Sequence, residues 1–244
     1  MPTTIYPINV LIMEGPAGSG KTTLLRKWSR AASWISPVSR EFPGISFHRE
    51  RSYPGFSGSY KAMAKDHLAI QNLALDWFST CQTGMLPDPE TIWTIDRLAV
   101  SNWVYTSIRE NTIEHSLVEM LHLVCEKFPR VFWEFSQRCG FPHSDVMFAF
   151  TILIAFFIPE REVIYERRAR SGKTYPYTVE EERHAYLRAQ RYIQRDFPLG
   201  QTLEAFHGEF NVLVTSPIQE EYTGLLSNIH RYAFNWPSQG HPDD

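Results

Sequence analysis

Cysteine is scarce in this chain. Cys81, Cys125 and Cys139 stand far apart, with neither CxxC spacing nor an even count. The sequence therefore offers no disulfide framework and no thiolate zinc site, and a reducing, cytoplasmic setting is expected. Long apolar runs are missing too. The longest, residues 146–158, is interrupted by Thr151 and falls short of the roughly 20 residues a membrane helix needs. Met1-Pro2-Thr3-Thr4 lacks the basic start and apolar core of a secretory signal. Charge of one sign is lacking as well: 24 Lys and Arg against 27 Asp and Glu give a formal net charge of −3. That balance argues against a surface built for a nucleic-acid polymer or an anionic membrane, so any bound anion must be handled locally. No internal repeat and no low-complexity segment is visible. At 244 residues and 43% hydrophobic, one domain spanning 1–244 with a full core is expected.

Against these absences, Gly15-Pro16-Ala17-Gly18-Ser19-Gly20-Lys21-Thr22 satisfies the phosphate-loop pattern GxxxxGK[ST] at every fixed position. It follows an apolar run at 8–13 and precedes a helical pattern, the context that gives the motif meaning. Successive backbone N–H groups and a helix N-terminus there would cradle a polyphosphate. Lys21 would reach the β- and γ-phosphates, the Thr22 hydroxyl would ligate Mg²⁺, and Thr23 would extend the nucleotide contact into the helix. ATP and Mg²⁺ are the expected cofactors.

Further along, the patterning predicts strands at 8–14, 35–41, 91–95, 146–157 and 210–214. Helices are predicted over 21–32, 61–80 and 99–127, with a last one from Ser216 and a polar tail at 236–244. Residues 47–60 read as a loop and 128–145, with Pro129, Gly140 and Pro142, as an irregular excursion. Between Arg161 and Arg195, nine basic residues stand against five glutamates, and Gly172-Lys173-Thr174-Tyr175-Pro176 divides this tract into two helical pieces. The alternation of strand and helix predicts an α/β, three-layer, doubly wound fold. Its five-stranded parallel sheet carries an Arg-rich helical lid at about 161–196.

Several segments in this order resemble the thymidylate kinase and deoxynucleoside kinase superfamily of P-loop kinases. Glu14-Gly15 resembles the head of that group's loop. Arg40-Glu41-Phe42-Pro43-Gly44 resembles its Arg-Glu-Pro-Gly segment, and Asp96-Arg97-Leu98-Ala99-Val100-Ser101 with Tyr105 its Asp-Arg-Tyr-x-x-Ser-x-x-x-Tyr segment. Pro159-Glu160 followed by Arg167, Arg168 and Arg170 resembles the entry to its lid. The resemblance implies Asp96 at Mg²⁺ or at the acceptor, Arg97 on an acceptor phosphate or hydroxyl, and Glu41 as the carboxylate orienting the acceptor hydroxyl. Arg40 would clamp an acceptor phosphate, Gln71 would read a base, and Tyr105 would wall the pocket. Arg167, Arg168 and Arg170 would supply the arginines that close over the donor, with Arg168 catalytic.

Two departures leave the acceptor open. Thymidylate kinases carry Asp where this chain has Ala17, and Phe156-Phe157-Ile158-Pro159 lacks the acid that often precedes the proline. The expected partner is thus a nucleoside or a nucleotide acceptor, and a homodimer is among the arrangements the resemblance allows. The alternatives are a P-loop kinase for another small hydroxylated metabolite and a regulatory nucleotide-binding protein. The latter would need switch loops tied to an Asp-x-x-Gly-type segment, which is not found.

Overall fold

The central strand, β1 (Thr4–Glu14), is the longest apolar element ahead of the phosphate loop, and Val10, Leu11, Ile12 and Met13 are each no more than 2% exposed. A strand with consecutive residues buried has both faces covered, as in parallel α/β sheets. The computed structural model describes residues 4–24, 45–48, 59–82, 87, 91–110, 117–140, 146–196 and 208–211. Within them β1 is flanked by β3 (Ile92–Asp96) on one side and β4 (Val146–Phe156) on the other. β2 (Ile45–His48) and β5 (Gly208–Asn211) form the edges, so the sheet has five parallel strands in the order β2-β3-β1-β4-β5. β2 and β3 lie on one side of β1, and β4 and β5 on the other, so the strand order reverses at β1, and the crevice at its C-terminal end is where ligands bind in such sheets.

The helices are α1 (Ser59–Gln82), α2 (Ala99–Glu110), α3 (Leu117–Arg138), α4 (Arg161–Ser171) and α5 (Val179–Asp196). α1 packs on α3 and α2 on α5, with α2 against α1 and α3 as well. Among the described residues no helix is long and apolar enough to cross a membrane.

Three sequence expectations change here. A strand runs over Ile45–His48, after the Phe42-Pro43-Gly44 turn signal, where none was predicted. The alternating Ile45-Ser46-Phe47-His48 therefore belongs to the sheet, not to a loop; residues 35–41 lie outside the described ones. The long helix predicted over 99–127 is two, ending at Glu110 and restarting at Leu117. Lastly, 128–145 is not irregular throughout, because α3 continues through Pro129 to Arg138. Pro129 removes one i→i−4 hydrogen bond, which disfavours a helix interior. The buried series Leu117, Leu121, Val124, Cys125, Phe128, Val131 and Phe132 keeps helical spacing across it, and burial of that face outweighs the local defect. The predicted first helix beyond residue 24, the predicted last helix and the tail lie outside the described residues.

Aromatic side chains fill the space between α1, α3 and β4. Trp77, 2% exposed, meets Phe78, Phe132 and Phe148 edge-on at ring separations of 4.8, 6.0 and 5.4 Å. Truncating such a side chain loses its transfer free energy and leaves a cavity. Trp77→Ala should therefore lower the unfolding free energy by about 3–5 kcal/mol in a denaturant titration; a loss below about 1 kcal/mol would show that this cluster is not the core's anchor.

Candidate functional site

The loop sits where three strand ends converge. Gly15 follows β1, and residues 21–24 already form a helical turn. The ladders run one bond past the strand ends: Arg97 N–H donates to Met13 O at 3.0 Å, and Phe157 N–H to Glu14 O at 2.7 Å. These bonds clamp the loop head from both sides. Gly15 has φ 147°, and a Cβ there would lie 2.2 Å from the Phe157 carbonyl oxygen, so only glycine lets β4's end come this close.

Lys21 is 4% exposed. Its ammonium donates to Gly15 O at 2.7 Å, Pro16 O at 2.9 Å and Ser19 Oγ at 3.1 Å. Burial first, and then the charge of Arg97, pull its pKa down to about 7, against the opposing carboxylates of Asp96, Glu14 and Glu182. Thr22 Oγ1 donates to Asp96 Oδ2 at 2.5 Å. Asp96 is 5% exposed, and its second oxygen, Oδ1, is buried with no hydrogen-bond partner among the described residues. A buried carboxylate oxygen left so is costly unless a cation meets it. A threonine hydroxyl beside a carboxylate with a spare oxygen is an oxygen-donor set suited to Mg²⁺.

Beside Asp96, Arg97 holds a left-handed backbone with φ 74°, unusual for a non-glycine residue. Such strain at a strand end is what functional sites tend to retain. Its guanidinium carbon lies 5.3 Å from the Tyr105 ring centroid. The turn after β3 is held from below by Glu14, fully buried, which accepts from Leu98 N–H at 2.8 Å and from the Ser101 hydroxyl. Ser101 Oγ in turn lies 2.6 Å from the Tyr186 hydroxyl on α5. Burial pushes the Glu14 pKa up to about 8, with the Ser101 and Leu98 hydrogen bonds opposing it.

A folded-state pKa raised from 4.5 means the native protein binds more protons than the unfolded chain between about pH 4.5 and 8, and stability falls as pH rises through that window. The wild type should lose about 1–3 kcal/mol between pH 5 and 7, while Glu14→Gln, which cannot ionise, should lose clearly less. Urea midpoints of both proteins at the two pH values measure this; equal slopes would assign the dependence to other groups.

Two helices bring charge onto the loop. α4 ends at Gly172 in the left-handed conformation, the usual helix stop. α5 starts after Thr178, whose hydroxyl accepts from Glu181 N–H at 3.2 Å while Glu181 accepts from Thr178 N–H at 2.8 Å, a reciprocal capping box. Arg167 Nη1 donates to the Ser19 carbonyl. Arg168, 9% exposed, donates from Nε to Ala17 O at 3.0 Å and from Nη1 to Tyr177 O at 2.7 Å. Glu182, 1% exposed, accepts from Ala17 N–H at 2.7 Å and from the Tyr105 hydroxyl at 3.2 Å. Its other oxygen lies 3.0 Å from Arg168 Nη2, close enough for an ion pair but not aligned for a hydrogen bond.

The structure thus brings together Gly15 to Thr22, Asp96, Arg97, Tyr105, Arg167 and Arg168. Thr23 is exposed on the first helical turn. Arg170 does not join the group: it pairs with Glu166 at 3.2 Å with 78% of its side chain exposed, because a residue two positions past Arg168 points some 200° around the helix. Gln71 is half-buried on α1, and none of the hydrogen bonds that assemble the loop site among the described residues involves it. Arg40 and Glu41 lie outside the described residues. Glu182 was missed. It is one of three successive glutamates at the start of a helix, where acids are common for dipole reasons alone, and nothing in the sequence marks it as the one turned inward.

The described residues thus form a parallel α/β sheet with a phosphate-loop sequence after its central strand. No family model and no curated protein sequence matches the chain. Among solved structures it is similar to the YorR protein of Bacillus subtilis in complex with phosphorylated GDP, at 17% identity and TM-score 0.42, over 90% of this chain and 92% of that one. It is likewise similar to deoxyadenosine kinase from M. mycoides with bound dATP, at 12% identity and TM-score 0.42, over 90% and 97%. At that level of similarity the functional reading rests on the residues of the site.

Proposed function

We propose that the protein is an ATP- and Mg²⁺-dependent kinase that transfers a phosphoryl group to a nucleoside or a nucleoside monophosphate. The observation that carries this is the pairing of Thr22 with Asp96, one carboxylate oxygen spare, directly beside the buried Lys21 and under two arginines from α4.

Phosphoryl transfer needs positioning and charge neutralisation more than covalent help. Lys21 exchanges loop carbonyls for phosphate oxygens, and the loop amides hold the donor. Thr22 and Asp96 would hold Mg²⁺, which when bound would neutralise charge on the phosphates. Arg167 and Arg168, on the two-helix lid of α4 and α5, close the site and exclude water. Arg97 and Tyr105 line the acceptor side, and Arg40, Glu41 and Gln71 are assigned there from the sequence pattern.

ADP release measured over a panel of nucleosides and monophosphates tests the reading. Stimulation by at least one of them is expected. Silence across the panel while another alcohol turns over would make this a kinase for a different small metabolite, and hydrolysis indifferent to every acceptor would make it a nucleotide-binding regulator.

A further inference from the structure

Building on the kinase reading, we infer that Glu182 is a positioning residue for phosphoryl transfer: its carboxylate ties the Arg168 guanidinium to the backbone of Ala17, so that α4 and α5 meet the loop as one unit with Arg168 already aimed. Residue 17 is held at both its peptide groups by the two members of an ion pair. Glu182 on α5 takes its N–H at 2.7 Å and Arg168 on α4 donates to its carbonyl at 3.0 Å, while the two side chains lie 3.0 Å from each other. The Ala17 methyl takes no part in these bonds, so the tie is indifferent to the side chain at that position.

Burial makes the pair interdependent. Arg168 and Glu182 are 9% and 1% exposed, and a guanidinium so enclosed needs a counter-charge to stay. Glu182 supplies it. The Tyr175 ring, 4.5 Å from the guanidinium carbon, and the Tyr177 carbonyl, accepting at 2.7 Å, fix the orientation. Without the Glu182 charge, Arg168 gains by swinging out to water, and the lid loses its grip on residue 17. On the other side, Tyr105 donates to the same Glu182 oxygen and lies under Arg97, so the tie also reaches the acceptor side.

A purely structural ion pair would move stability alone; a positioning residue moves turnover through Arg168. The test combines Glu182→Gln, Arg168→Gln and the double variant with two readouts. In steady-state kinetics, Glu182→Gln should lower kcat about 10–100-fold with KM for ATP changed less than about threefold. Added to Arg168→Gln it should lower kcat less than about twofold further, since residues acting as a unit are non-additive. Amide hydrogen exchange over residues 14–24 of the free protein should quicken severalfold in each single variant. Additive losses of kcat, or loop exchange unchanged in both single variants, would overturn the inference. If the wild type transfers phosphoryl to no acceptor, the kinase reading fails, and the exchange data still decide whether Glu182 ties the loop. If Glu182→Gln does not fold, Arg168→Gln gives the same exchange readout.

Discussion

Lys21→Ala should abolish phosphoryl transfer, with kcat down by about 10³-fold or more, while the protein stays folded. The ammonium is buried among Gly15 O, Pro16 O and Ser19 Oγ, all within 3.1 Å. Alanine removes a buried charge and leaves behind two carbonyls and a hydroxyl, a change the fold can absorb more readily than the loss of a core aromatic. The chemistry cannot absorb it, because the developing charge on the phosphoryl oxygens loses its fixed cation.

The lowered pKa of about 7 adds a pH signature. A triphosphate beside Lys21 favours the ammonium, so the nucleotide complex keeps a proton that the free protein loses above about pH 7, and nucleotide affinity should fall as pH rises above that value. ADP release, titration with a fluorescent ATP analogue across pH, and a thermal melt give the three readouts. Full transfer activity in Lys21→Ala would sink the assignment of the loop as the donor site.

The second large effect is expected at Asp96. Replacing it with asparagine preserves a hydrogen-bond acceptor for the Thr22 hydroxyl at the 2.5 Å position, but it removes the charge and one of the two oxygens. If Oδ1, buried and without a hydrogen-bond partner among the described residues, meets Mg²⁺, Asp96→Asn should cut kcat about 10²-fold or more while ATP affinity changes less than about fivefold, since the loop amides and Lys21 remain. The Mg²⁺ concentration for half-maximal rate should rise with it. An unchanged kcat and Mg²⁺ requirement would leave Asp96 as a structural partner of Thr22.

How far these assignments could be read in advance depended on where the information lay. The loop was legible because Gly15, Gly20, Lys21 and Thr22 answer to backbone, charge and hydroxyl demands that few residue types meet, and β1 because both its faces are apolar. Asp96 and Arg97 were legible from their place at the end of a β-branched run, and the break at Gly172 from glycine's access to the left-handed region that ends α4. The path of α3 through Pro129 was not legible. Local propensity argued for a break there, and only the neighbours that bury Phe128, Val131 and Phe132 decide otherwise. β2 was not read because a four-residue strand carries little periodic signal, and its pairing with β3 sets its position. Arg167 and Arg168 could not be separated from Arg170 in the sequence; helical geometry sorts them. Glu182 was hidden for a related reason, since what distinguishes it from Glu180 and Glu181 is the loop amide it meets across 165 residues of chain.

On the kinase reading, Gly15–Thr22 is the donor half of a two-substrate site. Incubation of the protein with Mg²⁺ and γ-labelled ATP, with each nucleoside and monophosphate in turn, and chromatography of the products tests it most directly. The predicted result is label appearing on a nucleoside monophosphate or diphosphate, dependent on the acceptor and lost in Lys21→Ala. Label released only as inorganic phosphate, at a rate no acceptor alters, would contradict it.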